Sequence, residues 1–215
     1  MKQALREHAE GAGLLGFMHD VRASVLRDVD RWVRAGCPSP APEVVKKRIV
    51  RRYVLDFNTP VFIETGTFLG NMVEYVARTG VKCHSIEVDP ALYERAKTLF
   101  ANRDSINIVL GDSGEELPRL LTSVAEPATF WLDGHYSGWS SGRSNIDTPV
   151  SQELDAILNH PVKGHVILID DARLFTGHAG YPRLSSLLAQ FDNHAAYHAW
   201  VSADIIRIEP RRAAI

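Results

Sequence analysis

From Thr59-Pro60 onward the chain alternates strand-like and helix-like stretches, and this alternation limits the possible folds more than any other feature. Residues 61–64, 82–87, 106–110, 129–133 and 166–170 read as strands, being short and rich in apolar or β-branched side chains. Residues 71–78, 90–102, 115–123, 149–158 and 182–191 read as helices. Alternation of this kind requires crossover connections and a mostly parallel sheet covered by helices on both faces. The last two strand-like runs, 196–201 and 204–208, have no room for a helix between them, so an antiparallel hairpin is expected at the end.

The segment before residue 57 is different. Leu14, Met18, Val21, Val25, Val29 and Trp32 recur every three or four residues, the period of one helix face. That helix should stop near Gly36, because Cys37-Pro38-Ser39-Pro40-Ala41-Pro42 cannot continue it. A second helix is expected over residues 43–55. The chain therefore divides into an N-terminal helical extension, 1–56, and an α/β domain, 57–215. The extension holds 11 Lys and Arg against 7 Asp and Glu, while the whole chain has a net charge of -2. The remainder is therefore acidic. This balance argues against nucleic acid as a partner. The basic run Lys46-Lys47-Arg48-Ile49-Val50-Arg51-Arg52 reads as a solvated helix face. The two cysteines, Cys37 and Cys83, form no CxxC pair, which excludes a zinc ribbon or redox dithiol. The first residues lack the apolar core of a signal peptide, and no run of about 18 apolar residues exists to cross a membrane. A cytoplasmic setting with no membrane partner is the expectation.

In an open α/β sheet, ligands bind beyond the carboxyl ends of the strands. The first strand runs into Glu64-Thr65-Gly66-Thr67-Phe68-Leu69-Gly70-Asn71. Its glycines suit a tight turn, but the spacing is neither G-x-G-x-x-G nor a phosphate-binding P-loop. An acid there repels a pyrophosphate and suits a cationic ligand. The second strand ends at Glu87-Val88-Asp89-Pro90, where Glu87 is placed to accept from ribose hydroxyls and Asp89 to cap the next helix. The third ends at Gly111-Asp112-Ser113. Asp112 suits either an exocyclic amine or a helix cap.

The fourth strand ends at Asp133-Gly134-His135-Tyr136 and the fifth at Asp170-Asp171. Three carboxylates at adjacent strand ends repel one another unless they share a proton or hold a cation. Oxygen ligands favour Mg²⁺, Mn²⁺ or Ca²⁺. Capping or backbone hydrogen bonds are the plainer roles for the same acids. The Gly- and Ser-rich stretch 134–147 carries Tyr136, Trp139 and Arg143 and reads as a lid or substrate wall, with Arg173 near the fifth strand as another wall residue.

Together, the acids at 64, 87, 112 and 133 resemble the motif series of class I S-adenosylmethionine-dependent methyltransferases over roughly residues 57–210. The resemblance implies a Rossmann-like, mostly parallel seven-stranded sheet with an antiparallel last strand. It implies S-adenosyl-L-methionine as cofactor, held by Glu64, Thr65, Gly66, Thr67, Gly70, Asn71, Glu87, Val88, Asp112, Ser113 and Asp133. Asp133, Asp170 and Asp171 look like the divalent-metal site of macrocin-type and catechol-type O-methyltransferases, which implies Mg²⁺ or Mn²⁺. His135 stands where the macrocin type has an acid, and Tyr136 where the catechol type has a lysine. His135 is the candidate proton acceptor, with a hydrogen-bonding role as its alternative. The expected activity is metal-assisted O-methylation of a small hydroxylated molecule such as a sugar, natural product or catechol-like diol, with Asp133 and His135 at the reaction centre. The alternatives are a metal-independent methyltransferase and a non-catalytic cofactor-binding scaffold. A homodimer through the N-terminal helices is the expected assembly.

Overall fold

A computed structural model of the chain describes residues 26–133 and 148–211. Seven strands form one sheet: β1 Val61–Thr65, β2 Lys82–Glu87, β3 Ile106–Leu110, β4 Ala128–Leu132, β5 Val166–Ile169, β6 Tyr197–Ser202 and β7 Ile205–Pro210. Their order across the sheet is β3-β2-β1-β4-β5-β7-β6. The first five strands run parallel, and β7 lies antiparallel between β5 and β6. The helices are α1 Glu43–Asp56, α2 Asn71–Ala77, α3 Pro90–Leu99, α4 Ser113–Leu121, α5 Val150–Asn159 and α6 Leu184–Ala189, with a 3₁₀ turn at Ala172–Leu174. Among the described residues, no helix is long and apolar enough to cross a membrane.

Both faces of the sheet are covered, and the central strands β1, β4 and β5 are accordingly buried at nearly every position. One face buries Ile63, Ile86, Phe130, Leu132, Ile167 and Ile169 beneath α4, α5 and α6. The other buries Phe62, Cys83, Trp131 and Leu168 beneath α1, α2 and α3. Each large apolar side chain fully buried contributes roughly 1.5–3 kcal/mol. Helix α1 shares in this core, since Val50 and Val54 are buried within it. Further toward the N-terminus, residues 26–34 are helical, with Leu26 and Val33 exposed and Trp32 Nε1 donating to the Pro38 carbonyl at 2.7 Å. Most of the Leu14–Trp32 stripe lies outside the described residues.

Helix ends differ from expectation where caps decide them. Asp112 accepts from Gly114 N at 2.8 Å, so α4 begins at Ser113 rather than two residues later. Asp89 accepts from Ala91 N and Leu92 N ahead of Pro90, the capping role read for it. Helix α6 is shorter than its apolar run, because Arg183 and Gln190 bound it. The terminal hairpin turns through Ala203 and Asp204, both at positive φ, the geometry of a tight two-residue turn. Asp204 fixes that turn by accepting from Arg173 N at 3.0 Å and pairing with the Arg173 guanidinium.

A buried imidazole pair ties α4 and α5 to β4. Ala128 N donates to His165 Nδ1 at 3.0 Å, so the remaining His165 proton sits on Nε2 and faces His160 Nδ1, also at 3.0 Å. His160 Nε2 then donates to the Leu121 carbonyl. Burial, with the neighbouring His160 and Lys163, lowers the His165 pKa to about 4 and keeps the chain of bonds intact at neutral pH.

Candidate active site

The parallel strands bring the ends of β1 to β5 onto one rim, and the strand order reverses between β1 and β4, where a crevice opens. After β1 the backbone turns sharply: Gly66 has φ 90°, and its N–H donates to the Ile86 carbonyl. Gly70, at φ 77°, opens α2, and a Cβ there would stand 2.8 Å from the Phe100 ring. Packing under the loop therefore demands glycine at this position, independently of any ligand above it.

Beneath the loop lies a relay of side chains. Ser85 Oγ donates to Glu64 Oε2 at 2.7 Å, and since Ser85 has one proton, Thr67 Oγ1 must donate to Ser85 Oγ. Glu64 is only 2% exposed. Burial raises its pKa well above the carboxylate range, and the nearby Asp133 and Glu87 add to the rise. Glu64 is thus a buried support of the turn rather than an open counter-charge.

Glu87 joins the ends of β1 and β2. Its Oε2 accepts from Phe68 N at 2.7 Å and its Oε1 from Asp89 N at 2.9 Å. Each oxygen keeps a further lone pair for a ligand hydroxyl. Phe68 and Val88 stand beside it as exposed apolar side chains, 63% and 48% accessible.

The strand register dictates the next cluster. Leu132 pairs with Ile169, so Asp133 lies abreast of Asp170 one residue on, and both belong to the sheet face that α1 covers. Asp133 N donates to the Thr65 carbonyl, and Asp170 N to that of Leu132, extending the ladder to the rim. Carboxylate oxygens of Asp133, Asp170 and Asp171 lie within 4.8 Å of one another, the convergence expected from the sequence.

A cation already reaches them. Lys46, on the first turn of α1, places Nζ 2.6 Å from Asp170 Oδ2 and 3.4 Å from Asp171 Oδ1. The reading of residues 46–52 as a solvated face is corrected here: Arg48, Arg51 and Arg52 are exposed, but Lys46 is tucked against the rim with its side chain 14% exposed. Burial opposes its charge, yet Asp170, Asp171 and Asp133 hold its pKa above the ordinary lysine value. Burial, followed by the charge of Asp133, raises Asp170 to about 6. Arg173, expected on a substrate wall, bridges Asp171 and Asp204. Three hard oxygen donors at this spacing suit Mg²⁺ or Mn²⁺, provided Lys46 gives up its seat. His135, Tyr136, Trp139 and Arg143 lie outside the described residues.

Beside this cluster is a narrow cleft lined by Leu132, Asp133, Thr148, Glu153, Asp170 and Tyr181. Glu153 was missed in the sequence. It occupies the apolar face of α5 with Val150, Leu154 and Ile157, and an acid at i+3 on such a face is the signal that could have revealed it. Lys46 carries a comparable signal, since it lies four residues before Val50 on the buried face of α1.

Solved structures share this architecture. The O-methyltransferase TomG from Streptomyces achromogenes, involved in tomaymycin synthesis and determined with S-adenosylmethionine (SAM), is 15% identical, with 86% of this chain and 87% of that one covered and a TM-score of 0.61. An S-adenosylhomocysteine (SAH)-bound methyltransferase of Podospora anserina is 14% identical over 87% of each chain, with a TM-score of 0.58. An O-methyltransferase of Bacillus cereus, in complex with SAH, is 15% identical over 88% of this chain and 91% of that one, at 0.54. At these identities the likeness is one of fold: the Rossmann-like methyltransferase fold expected from the sequence. No protein-family model matches the chain, and a search of curated proteins finds no relative by sequence.

Proposed function

We propose that this protein is a SAM-dependent O-methyltransferase acting on a hydroxyl of a small molecule. The observation that carries the reading is the gathering of Glu87, Asp112, Asp133, Asp170 and Asp171 along one rim, at the crevice where the strand order reverses. The fold neighbours with SAM or SAH bound support it. In this reading Glu87 accepts from the ribose hydroxyls while its backbone bonds hold the carboxylate in place. Phe68 and Val88 flank the nucleoside, and Asp112 and Ser113 meet the base. The turn through Thr65, Gly66, Thr67, Gly70 and Asn71 faces the methionine end.

Methyl transfer from a sulfonium needs an in-line oxyanion more than it needs an activated donor. Holding both reactants in line accounts for several kcal/mol of barrier reduction, on the order of the effects measured for oriented reactants. Asp133, Asp170 and Asp171 would hold a divalent cation, which supplies stabilisation of the substrate oxyanion. Those carboxylates orient a vicinal diol at the rim, and His135 takes the hydroxyl proton. Titration of the full chain with SAH in EDTA, followed by titration with Mn²⁺ monitored by electron paramagnetic resonance, tests the reading: saturable SAH binding supports the cofactor site, and stoichiometric Mn²⁺ binding lost in Asp170→Asn supports the cation.

One observation favours a second reading, a metal-independent methyltransferase. Lys46 already supplies a positive charge to Asp170 and Asp171. Full turnover in EDTA, with no Mn²⁺ bound by electron paramagnetic resonance, selects this alternative.

A further inference from the structure

Carboxylates that converge at a strand rim repel one another unless positive charge stands among them. The fold supplies that charge from two sides, and the two cations are held differently. Arg173 pairs with Asp171 and with Asp204, and its backbone N–H donates to Asp204 at 3.0 Å. It is therefore tied to the turn between β6 and β7 as well as to the cluster. Among the described residues, Lys46 pairs with Asp170 and Asp171 and with no acid outside the cluster.

The position of Lys46 is set by Asp170. Asp170 Oδ1 accepts from Asp171 N at 2.8 Å, which leaves Oδ2 as the oxygen offered to the cluster. That oxygen is the one the Lys46 ammonium holds, at 2.6 Å. A divalent ion bound by Asp170 needs the same oxygen, and two cations on one carboxylate oxygen repel at close range. One of them has to leave. Lys46 can leave at little structural cost. Its ammonium rides on a flexible aliphatic stem and its side chain is already 14% exposed. Helix α1 does not depend on the contact, since Val50 and Val54, both buried, fix it to the sheet one and two turns further on. Its first turn is closed by Val45 N and Lys46 N donating to the Pro42 carbonyl.

We propose that Lys46 is a tethered counter-ion that competes with the divalent cation for Asp170, so that the two are alternative occupants of the rim and Lys46 sets the concentration at which the ion binds. The inference rests on the cation reading given above. It adds that affinity for the ion is determined by a residue of α1 and not by the three acids alone. Lys46 neutralises the rim until the ion arrives, and release of its ammonium to water accompanies loading.

Two measurements on the full chain test this. The first is Mn²⁺ titration of wild type and Lys46→Met, followed by electron paramagnetic resonance. The second is acetylation of wild type by acetic anhydride, in EDTA and in saturating Mn²⁺, read at each lysine by mass spectrometry with the exposed Lys97 as reference. The expected result is Mn²⁺ binding at least tenfold tighter in Lys46→Met. Lys46 should be acetylated several-fold more slowly than Lys97 in EDTA, and Mn²⁺ should speed its reaction several-fold while leaving Lys97 unchanged. Mn²⁺ affinities within about twofold of each other overturn the proposal. Saturable Mn²⁺ binding with Lys46 as protected as in EDTA also overturns it, because both cations then occupy the rim together. Mn²⁺ binding by the variant alone supports displacement in its limiting form and selects the metal-independent reading. If neither protein binds Mn²⁺, the cation reading fails and the competition fails with it.

Discussion

Lys46 and Asp170 are 124 residues apart in the chain, yet the Lys46 ammonium lies 2.6 Å from Asp170 Oδ2 at the rim of the sheet. The contact makes the first turn of α1 part of the site. It also resolves, within the protein, the repulsion that three convergent carboxylates impose. Removing one partner of such a pair leaves the other charges uncompensated, at a cost of about 3 kcal/mol when burial is nearly complete. Lys46→Met should therefore lower the Tm in EDTA by several degrees. Millimolar Mn²⁺ should recover more of that loss than it adds to wild type, because the ion takes the vacated position. Scanning calorimetry of both proteins with and without Mn²⁺ checks this, and a Tm unchanged by the substitution contradicts it.

Glu87 gives a sharper expectation. Its two oxygens each accept a backbone N–H, from Phe68 and from Asp89. A glutamine has one carbonyl oxygen and would turn an NH₂ toward the other N–H donor. Glu87→Gln should thus destabilise the ligand-free protein by about 1–3 kcal/mol for one orphaned donor, and Glu87→Ala, which orphans both, by more. Urea unfolding of the two variants decides the matter: a glutamine variant as stable as wild type contradicts the bidentate role.

Gly70 is fixed by the fold whatever binds above it. An alanine there meets both a left-handed backbone, at φ 77°, and the Phe100 ring 2.8 Å away. Gly70→Ala should cost about 1–2 kcal/mol for the backbone conformation alone, with overpacking added. Adding Phe100→Leu should relieve the second component and leave the first. Denaturation midpoints of the single and double variants separate the two.

Acid should weaken the protein through His165. Its folded pKa, about 4, lies below its ordinary value of 6.5, so the unfolded chain binds the extra proton. The contribution is complete above about pH 6.5 and is lost as pH falls toward 4, on the order of 2–3 kcal/mol in all. Glu153 acts in the opposite sense, since its raised pKa weakens the fold as pH rises from 4.5 through about 7. Comparing wild type with His165→Leu isolates the histidine. The variant is less stable at neutral pH, but its stability should fall less steeply between pH 6.5 and 4. Parallel pH profiles contradict the assignment.

Much of this was legible in the sequence, because each signal was local. Short apolar and β-branched runs marked the strands, their alternation with helix-like stretches marked the fold, and the residues ending each strand named the rim. Parallel register then brought Asp133 abreast of Asp170 with no further information. The rest depended on tertiary packing. Lys46 differs from Arg48 and Arg51 in lying one and two turns before Val50 and Val54 on the face that α1 buries, but only the docking of that face shows which acids it meets. The ion pair of Arg173 with Asp204 in the Ala203-Asp204 turn had no signal in the sequence. Asp112 satisfied two readings in sequence, and the structure assigns one of its oxygens to the cap of α4. Glu153 was missed although it is an acid on an apolar helix face, and its burial appears only once α5 packs on the sheet.

The central claim is that this rim holds a nucleoside cofactor through Glu87. Calorimetric titration of SAH into the full chain tests it most directly, with Glu87→Ala as the control. The account predicts saturable one-to-one binding by wild type, weakened at least tenfold in the variant. No binding by wild type at millimolar SAH, or equal affinity in the two proteins, contradicts it.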